Sequence, residues 1–263
     1  MAADFQDLRD STFESVDLTG ATFRRAYLNR VTFQNVDMVG ARILDADLID
    51  AEITGEIRNV TVNGIEISAY VQAELDRQQP GREKMRPTDA AGFREAWDLL
   101  EELWAGTVGR ARALEARRPG ALHESVDGEW SFVQTLRHLA FATETWVLRV
   151  LGGDPRPWHP LSLPFDEMTP HPEVPWDRDA RPSLDEVLEL RADRQAAVRR
   201  VVDGLTDEQL ASHTTPVEGP AWPPAHAFPV AEVLGTILNE EWEHRRYAER
   251  DLAVLESTTH DKE

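Results

Sequence analysis

The chain has 263 residues, 41% of them hydrophobic, and a formal net charge of -20, which is enough length for two domains with separate cores. It contains no cysteine, which excludes disulfides and thiolate ligands and leaves any metal site to His, Asp or Glu. The acidic excess, 33 acidic against 18 basic residues beyond residue 86 and 15 against 10 before it, argues against nucleic acid, whose phosphates need neutralising. No apolar run is long enough to span a bilayer. The acidic start lacks the basic and apolar regions of a secretory signal, so a cytoplasmic location is expected.

From Leu8 an apolar residue returns at every fifth position: Leu8, Phe13, Leu18, Phe23, Leu28, Phe33, Met38, Ile43, Leu48 and Ile53. A period of five fits neither a helix nor a strand. It predicts short stacked units, each turning one residue inward. A small residue often stands two places earlier, as in Ala21-Thr22-Phe23 and Ala46-Asp47-Leu48. Over residues 4–55 this pattern resembles the pentapeptide-repeat family. The resemblance implies a short right-handed quadrilateral β-helix. It also implies a surface for a protein partner or for self-association.

Val60, Val62, Ile65 and Ile67 flank Asn63-Gly64, a strong hairpin signal that predicts a closing cap for the stack. Ser68 to Gln78 suits a short helix ended by Pro80-Gly81, and Gly81 to Pro87 reads as a charged linker.

From Thr88 the period becomes helical. Asp89 can cap a helix whose apolar stripe is Phe93, Trp97, Leu100, Trp104 and Val108, ending before Pro119-Gly120. A second helix starts near Ser131 and stops at Gly152-Gly153. A crossing over 153–181 follows, rich in proline and expected to be extended. Ser183 with Glu186 forms a capping box for a third helix to about Asp203. Thr206 opens a helical turn, and a second Pro-rich loop leads to a last helix over 230–255. Four long helices predict a four-helix bundle. The fold class is then α and β in separate domains: the repeat and hairpin over 1–67, a helix and linker over 68–87, the bundle over 88–257 and a polar tail over 258–263.

Glu240 and His244, four apart on the last helix, share one face. His138 lies on a helix that can pack alongside. Two imidazoles and a carboxylate from two helices can hold a metal and leave positions open for water or substrate. The same spacing also suits an ordinary ion pair. Glu241 is an alternative ligand, and Glu243 points further round the helix. Tyr247 can orient a bound group or donate a proton, or simply pack. Arg149, Arg245 and Arg246 can hold a substrate carboxylate or form surface ion pairs. Trp158 and Trp222, in Pro-rich loops, are candidate pocket walls.

The segments around Trp130-Ser-Phe-Val-Gln-Thr-Leu-Arg-His138 and Asn239-Glu240-Glu-Trp-Glu-His244 resemble the DinB-like family over about residues 88–257. That family includes mycothiol- and bacillithiol-dependent transferases and maleylpyruvate isomerase. The resemblance implies a divalent metal (Zn, Ni, Mn or Fe) on His138, residue 240 and His244, and a small-molecule substrate. It also implies mycothiol or another low-molecular-weight thiol, near Arg149, Trp158 and Trp222. The family has histidine where this chain has Glu240, which makes the donor set harder. A non-catalytic scaffold that docks partners through the repeat is the alternative reading.

Overall fold

The computed structural model describes residues 7–166, 168–219 and 222–260. The first residues of the expected repeat, 4–6, and the end of the expected tail, 261–263, lie outside them. The chain divides into two compact units, one up to Glu56 and one from Ile57 onward.

In the first unit, the five-residue period is written in the backbone. Asp10, Ser15, Gly20, Arg25, Arg30, Asn35, Gly40, Asp45, Asp50 and Gly55 all have positive φ. Most are Gly, Asp or Asn, the residues that tolerate this conformation. The N–H groups of Ser11, Ala21, Val31 and Ala41 donate to carbonyls three residues back. Carboxylates of Asp7, Asp17 and Asp37 accept the N–H two residues on, as turn-forming aspartates do. Residues 7–56 contain no strand, so the β-helix is not formed among the described residues. The hydrogen bonds just named close local turns. The apolar ladder, inward-facing in a coil, is therefore open: Phe13, Phe23 and Phe33 are 62%, 65% and 55% exposed.

The second unit begins with the hairpin, β1 (Thr61–Val62) paired antiparallel with β2 (Ile65–Glu66). Asn63 and Gly64 both have positive φ, as the two-residue turn requires. The hairpin falls with the helical unit rather than with the repeat. Helix α1 (Ser68–Gln78) follows. The expected linker is instead a 3-10 turn, Arg82–Met85. Met85 is buried in a core cluster, and Arg82 and Arg86 both pair with Asp76 of α1.

The bundle comprises α2 (Ala90–Arg117), α3 (Phe132–Thr143), α4 (Leu184–Gly204) and α6 (Val230–His260), with α5 (Asp207–Leu210) as a short turn. Asp89 caps α2 through Gly92 N–H, and Ser131 and Ser183 form capping boxes with Gln134 and Glu186. Helix α2 packs against α4 and α6, and α3 packs against the same two. That ring sets α3 beside α6. Helix α3 passes directly into a π-helical segment, Glu144–Leu151, where the sequence predicts one continuous α-helix. The last helix runs to His260, into the span read as a tail. No helix among the described residues is long and apolar enough to cross a membrane.

Candidate metal centre

His138 sits on the buried face of α3, and Glu240 and His244 sit one turn apart on α6. One ligand atom from each lies within 4.8 Å of the other two. His138 Nε2 is 3.3 Å and His244 Nε2 is 3.1 Å from the same oxygen, Glu240 Oε2. Separations of about 3.0–3.4 Å match the edge between neighbouring ligands that bind one ion at about 2.1 Å.

The proton positions sharpen this geometry. His138 Nδ1 is 3.1 Å from the Leu163 carbonyl oxygen. A carbonyl only accepts, so Nδ1 carries the hydrogen. Burial pushes the His138 pKa down, against the pull of the Glu240 carboxylate. In the neutral ring Nε2 then offers a lone pair toward Glu240. Burial also raises the Glu240 pKa, but its interactions with the two neighbouring imidazoles outweigh it, and the net shift is well below the ordinary carboxylate range. Lone pairs from nitrogen and oxygen converge, and a cation between them relieves the conflict. The donor set and its spacing fit a divalent metal.

Glu241, the alternative ligand, is engaged elsewhere. Both its oxygens accept from Arg191 Nη2 at 2.8 and 2.7 Å, with both side chains buried. Its helical position aligns with Leu234, Leu238, Ala248 and Leu252, all buried, so the apolar stripe of α6 already marked it as facing inward. Glu243 pairs with Arg246. Arg245 lies over the Trp242 ring and near Glu249.

Tyr247 is beside the centre, its ring edge-on to His244 at 5.9 Å. Burial raises its hydroxyl pKa, which keeps it a neutral donor. Trp158 stacks on Phe141 at 5.2 Å, and Phe141 is 6.3 Å from His138. Trp222 is 42% exposed and meets Phe165 edge-on. Arg149 is buried, and its guanidinium donates to the carbonyls of Pro155 and Val217. It joins the two Pro-rich loops and, among the described residues, faces no carboxylate partner at salt-bridge distance.

Two further residues bear on the centre: Trp130, which the sequence marks as a packing residue or one behind the ligands, and Glu144, which it does not single out. Trp130, just ahead of the α3 cap, lies 4.6 Å from the His138 ring and stacks on the His244 ring at 6.0 Å. Its indole N–H donates to Asp166 at 3.2 Å. Glu144 is fully buried at the start of the π segment, a position with no sequence signal.

Protein-family models match the chain twice: the DinB superfamily over residues 73–248, and pentapeptide repeats in 8 copies over residues 7–43. No curated protein and no solved structure matches it. The first match covers most of the chain, reaches back to α1 and takes in all four bundle helices with His138, Glu240 and His244. This chain therefore belongs to the DinB superfamily and carries pentapeptide repeats ahead of its bundle.

Proposed function

We propose that this protein is a divalent-metal-dependent enzyme that transfers a low-molecular-weight thiol, of the mycothiol type, to a small electrophile. His138, Glu240 and His244 are the metal ligands in this reading. The observation that carries it is the convergence of His138 Nε2 and His244 Nε2 on Glu240 Oε2, with the far side of His138 fixed by a carbonyl. A bound divalent ion supplies Lewis acidity that favours thiolate over thiol at neutral pH.

The chain's own residues do the rest. Leu163 O holds the His138 ring in one orientation, and Glu240 contributes a negative charge that a third imidazole would not. Trp130 shields the two imidazoles on one side. Tyr247 is placed to donate a hydrogen bond to a bound group. Trp158 and Trp222 offer apolar walls to the electrophile, while Arg149 orders the loops that carry them. In the transfer, the thiol sulfur bonds to the electrophilic carbon. The carbon's bond to its leaving group breaks with the electron pair, and the thiol proton passes to solvent.

The test is metal content and thiol transfer in the wild type, H138A and H244A. The reading expects about one divalent ion per chain in the wild type and a strong loss in both variants. It also expects conjugation of mycothiol to an electrophilic dye that disappears with the metal. Equal and negligible metal in all three proteins would remove its basis.

The exposed ladder of the repeat favours a second role, docking of a protein partner or a second copy. A quadrilateral β-helix completed in such an assembly would bury the ladder, and the positive φ at every fifth residue suits its corners. Replacing Phe13, Phe23 and Phe33 with Ser should abolish any higher-order species seen by light scattering. Unchanged mass in both proteins would count against this role.

A further inference from the structure

The segment His159–Leu163 is tied to the ligand helix at both ends. At one end the His159 N–H donates to Glu144 Oε1 at 3.2 Å. At the other the Leu163 N–H donates to the Arg137 carbonyl at 3.2 Å, and the Leu163 carbonyl meets His138 Nδ1 at 3.1 Å. Between them, Ser162 N–H donates to the His159 carbonyl and Leu161 N–H to His159 Nδ1. Arg137 Nε donates to the Leu161 carbonyl at 2.7 Å. These five residues form a closed turn whose last carbonyl orients a proposed metal ligand.

Glu144 is the junction. It is fully buried, and its Oε1 also accepts from Arg194 Nε and Nη2 of α4 at 2.9 and 2.7 Å. Its Oε2 and the buried Ser162 hydroxyl have no hydrogen-bond partner. One oxygen thus gathers donors from α4 and from the Pro-rich crossing, while the other gathers none. A carboxylate taken fully out of water is unfavourable, and nothing in the metal centre itself uses this one. What it holds is the near end of the turn that reaches His138.

We propose that Glu144 is a positioning residue: it anchors His159–Leu163 so that the Leu163 carbonyl keeps His138 Nε2 aimed at Glu240. The effect on metal affinity rests on the metal reading given above; the effect on the His138 ring does not.

The experiment compares the full-length wild type with Glu144→Leu, which cannot accept a hydrogen bond, and Glu144→Gln, which can. Zinc affinity is measured by chelator competition, and the His138 Nδ1–H resonance by nitrogen-15 NMR of the imidazoles. The proposal expects Glu144→Leu to weaken zinc by about 10–100-fold, the range seen when a residue that orients a ligand is lost. It also expects the His138 resonance to move, and Glu144→Gln to recover most of both. If Glu144→Leu does not fold, the double variant E144L/R194L also removes the guanidinium that Glu144 had paired, and takes its place. Wild-type affinity and an unmoved resonance in the leucine variant would overturn the proposal. If the wild type binds no zinc, the metal reading fails, and the resonance alone decides: moved supports positioning by Glu144, unmoved refutes it.

Discussion

Arg191 and Glu241 meet inside the bundle, one from α4 and one from α6, with the Arg191 Nη2 2.8 and 2.7 Å from the two carboxylate oxygens and both side chains almost wholly buried. The pair removes Glu241 from the metal question and leaves Glu240 as the acidic member of the centre. Breaking such a pair from one side strands a charge in the core. Glu241→Ala should therefore lower stability by about 3–5 kcal/mol in denaturant unfolding. Zinc affinity of the folded variant should stay near wild type. The double change R191M/E241L should recover most of the stability.

Glu240 itself should behave oppositely. Glu240→Ala removes a proposed ligand, so in that reading zinc affinity should fall by more than the roughly 10–100-fold typical of residues that only orient a ligand. Glu240→His supplies nitrogen in place of oxygen and should keep zinc while losing preference for harder ions such as Mn²⁺. Competition between the two ions checks this.

Trp130 stacks on His244 and tilts against His138, so it lies within reach of any ion they hold. Binding of Ni²⁺ or Cu²⁺ should quench part of the indole emission. Trp130→Phe should remove most of that quenching while leaving affinity within about threefold, because it touches the imidazoles without binding the ion. Fluorescence titration of both proteins gives the answer.

Burial raises the Glu144 pKa to about 7, against the opposing pull of the Arg194 guanidinium. An acid raised in this way is protonated in the folded state at pH values where the unfolded chain has already lost the proton. Its contribution to stability is complete below the ordinary glutamate value of 4.5 and is lost as pH climbs through about 7. The loss is about 3 kcal/mol, at about 1.4 kcal/mol per pH unit. Relative to wild type, Glu144→Gln should therefore gain stability between pH 5 and pH 8. Urea midpoints at several pH values measure the gain. A constant difference would refute the assignment. Glu240 acts in the acid range with the opposite sign: its depressed pKa adds stability above 4.5 that is lost as pH falls.

Much of the helical unit was legible because its signals are local. Asp89, Ser131, Ser183 and Thr206 all cap helices where the sequence places them, since a cap needs only the next three residues. The Glu240–His244 spacing placed both side chains on one face for the same reason. The π segment was illegible. Such wider turns are rare, and no propensity in Glu144–Leu151 announces one. Glu144's partners lie on α4 and in the crossing, far along the chain, and no short-range pattern encodes them. The repeat shows the reverse. Its period is unmistakable, and it recurs in the backbone as a positive φ at every fifth residue. Periodicity alone does not say whether successive coils bond to one another.

The switch from α to π winding after Thr143 has a use beyond geometry. Upstream, Phe132, Leu136 and Leu139 belong to one apolar cluster; downstream, Val147 joins another, with Trp146 and Leu151 against it. A single rod thus lines two interiors, with the change of pitch falling between them.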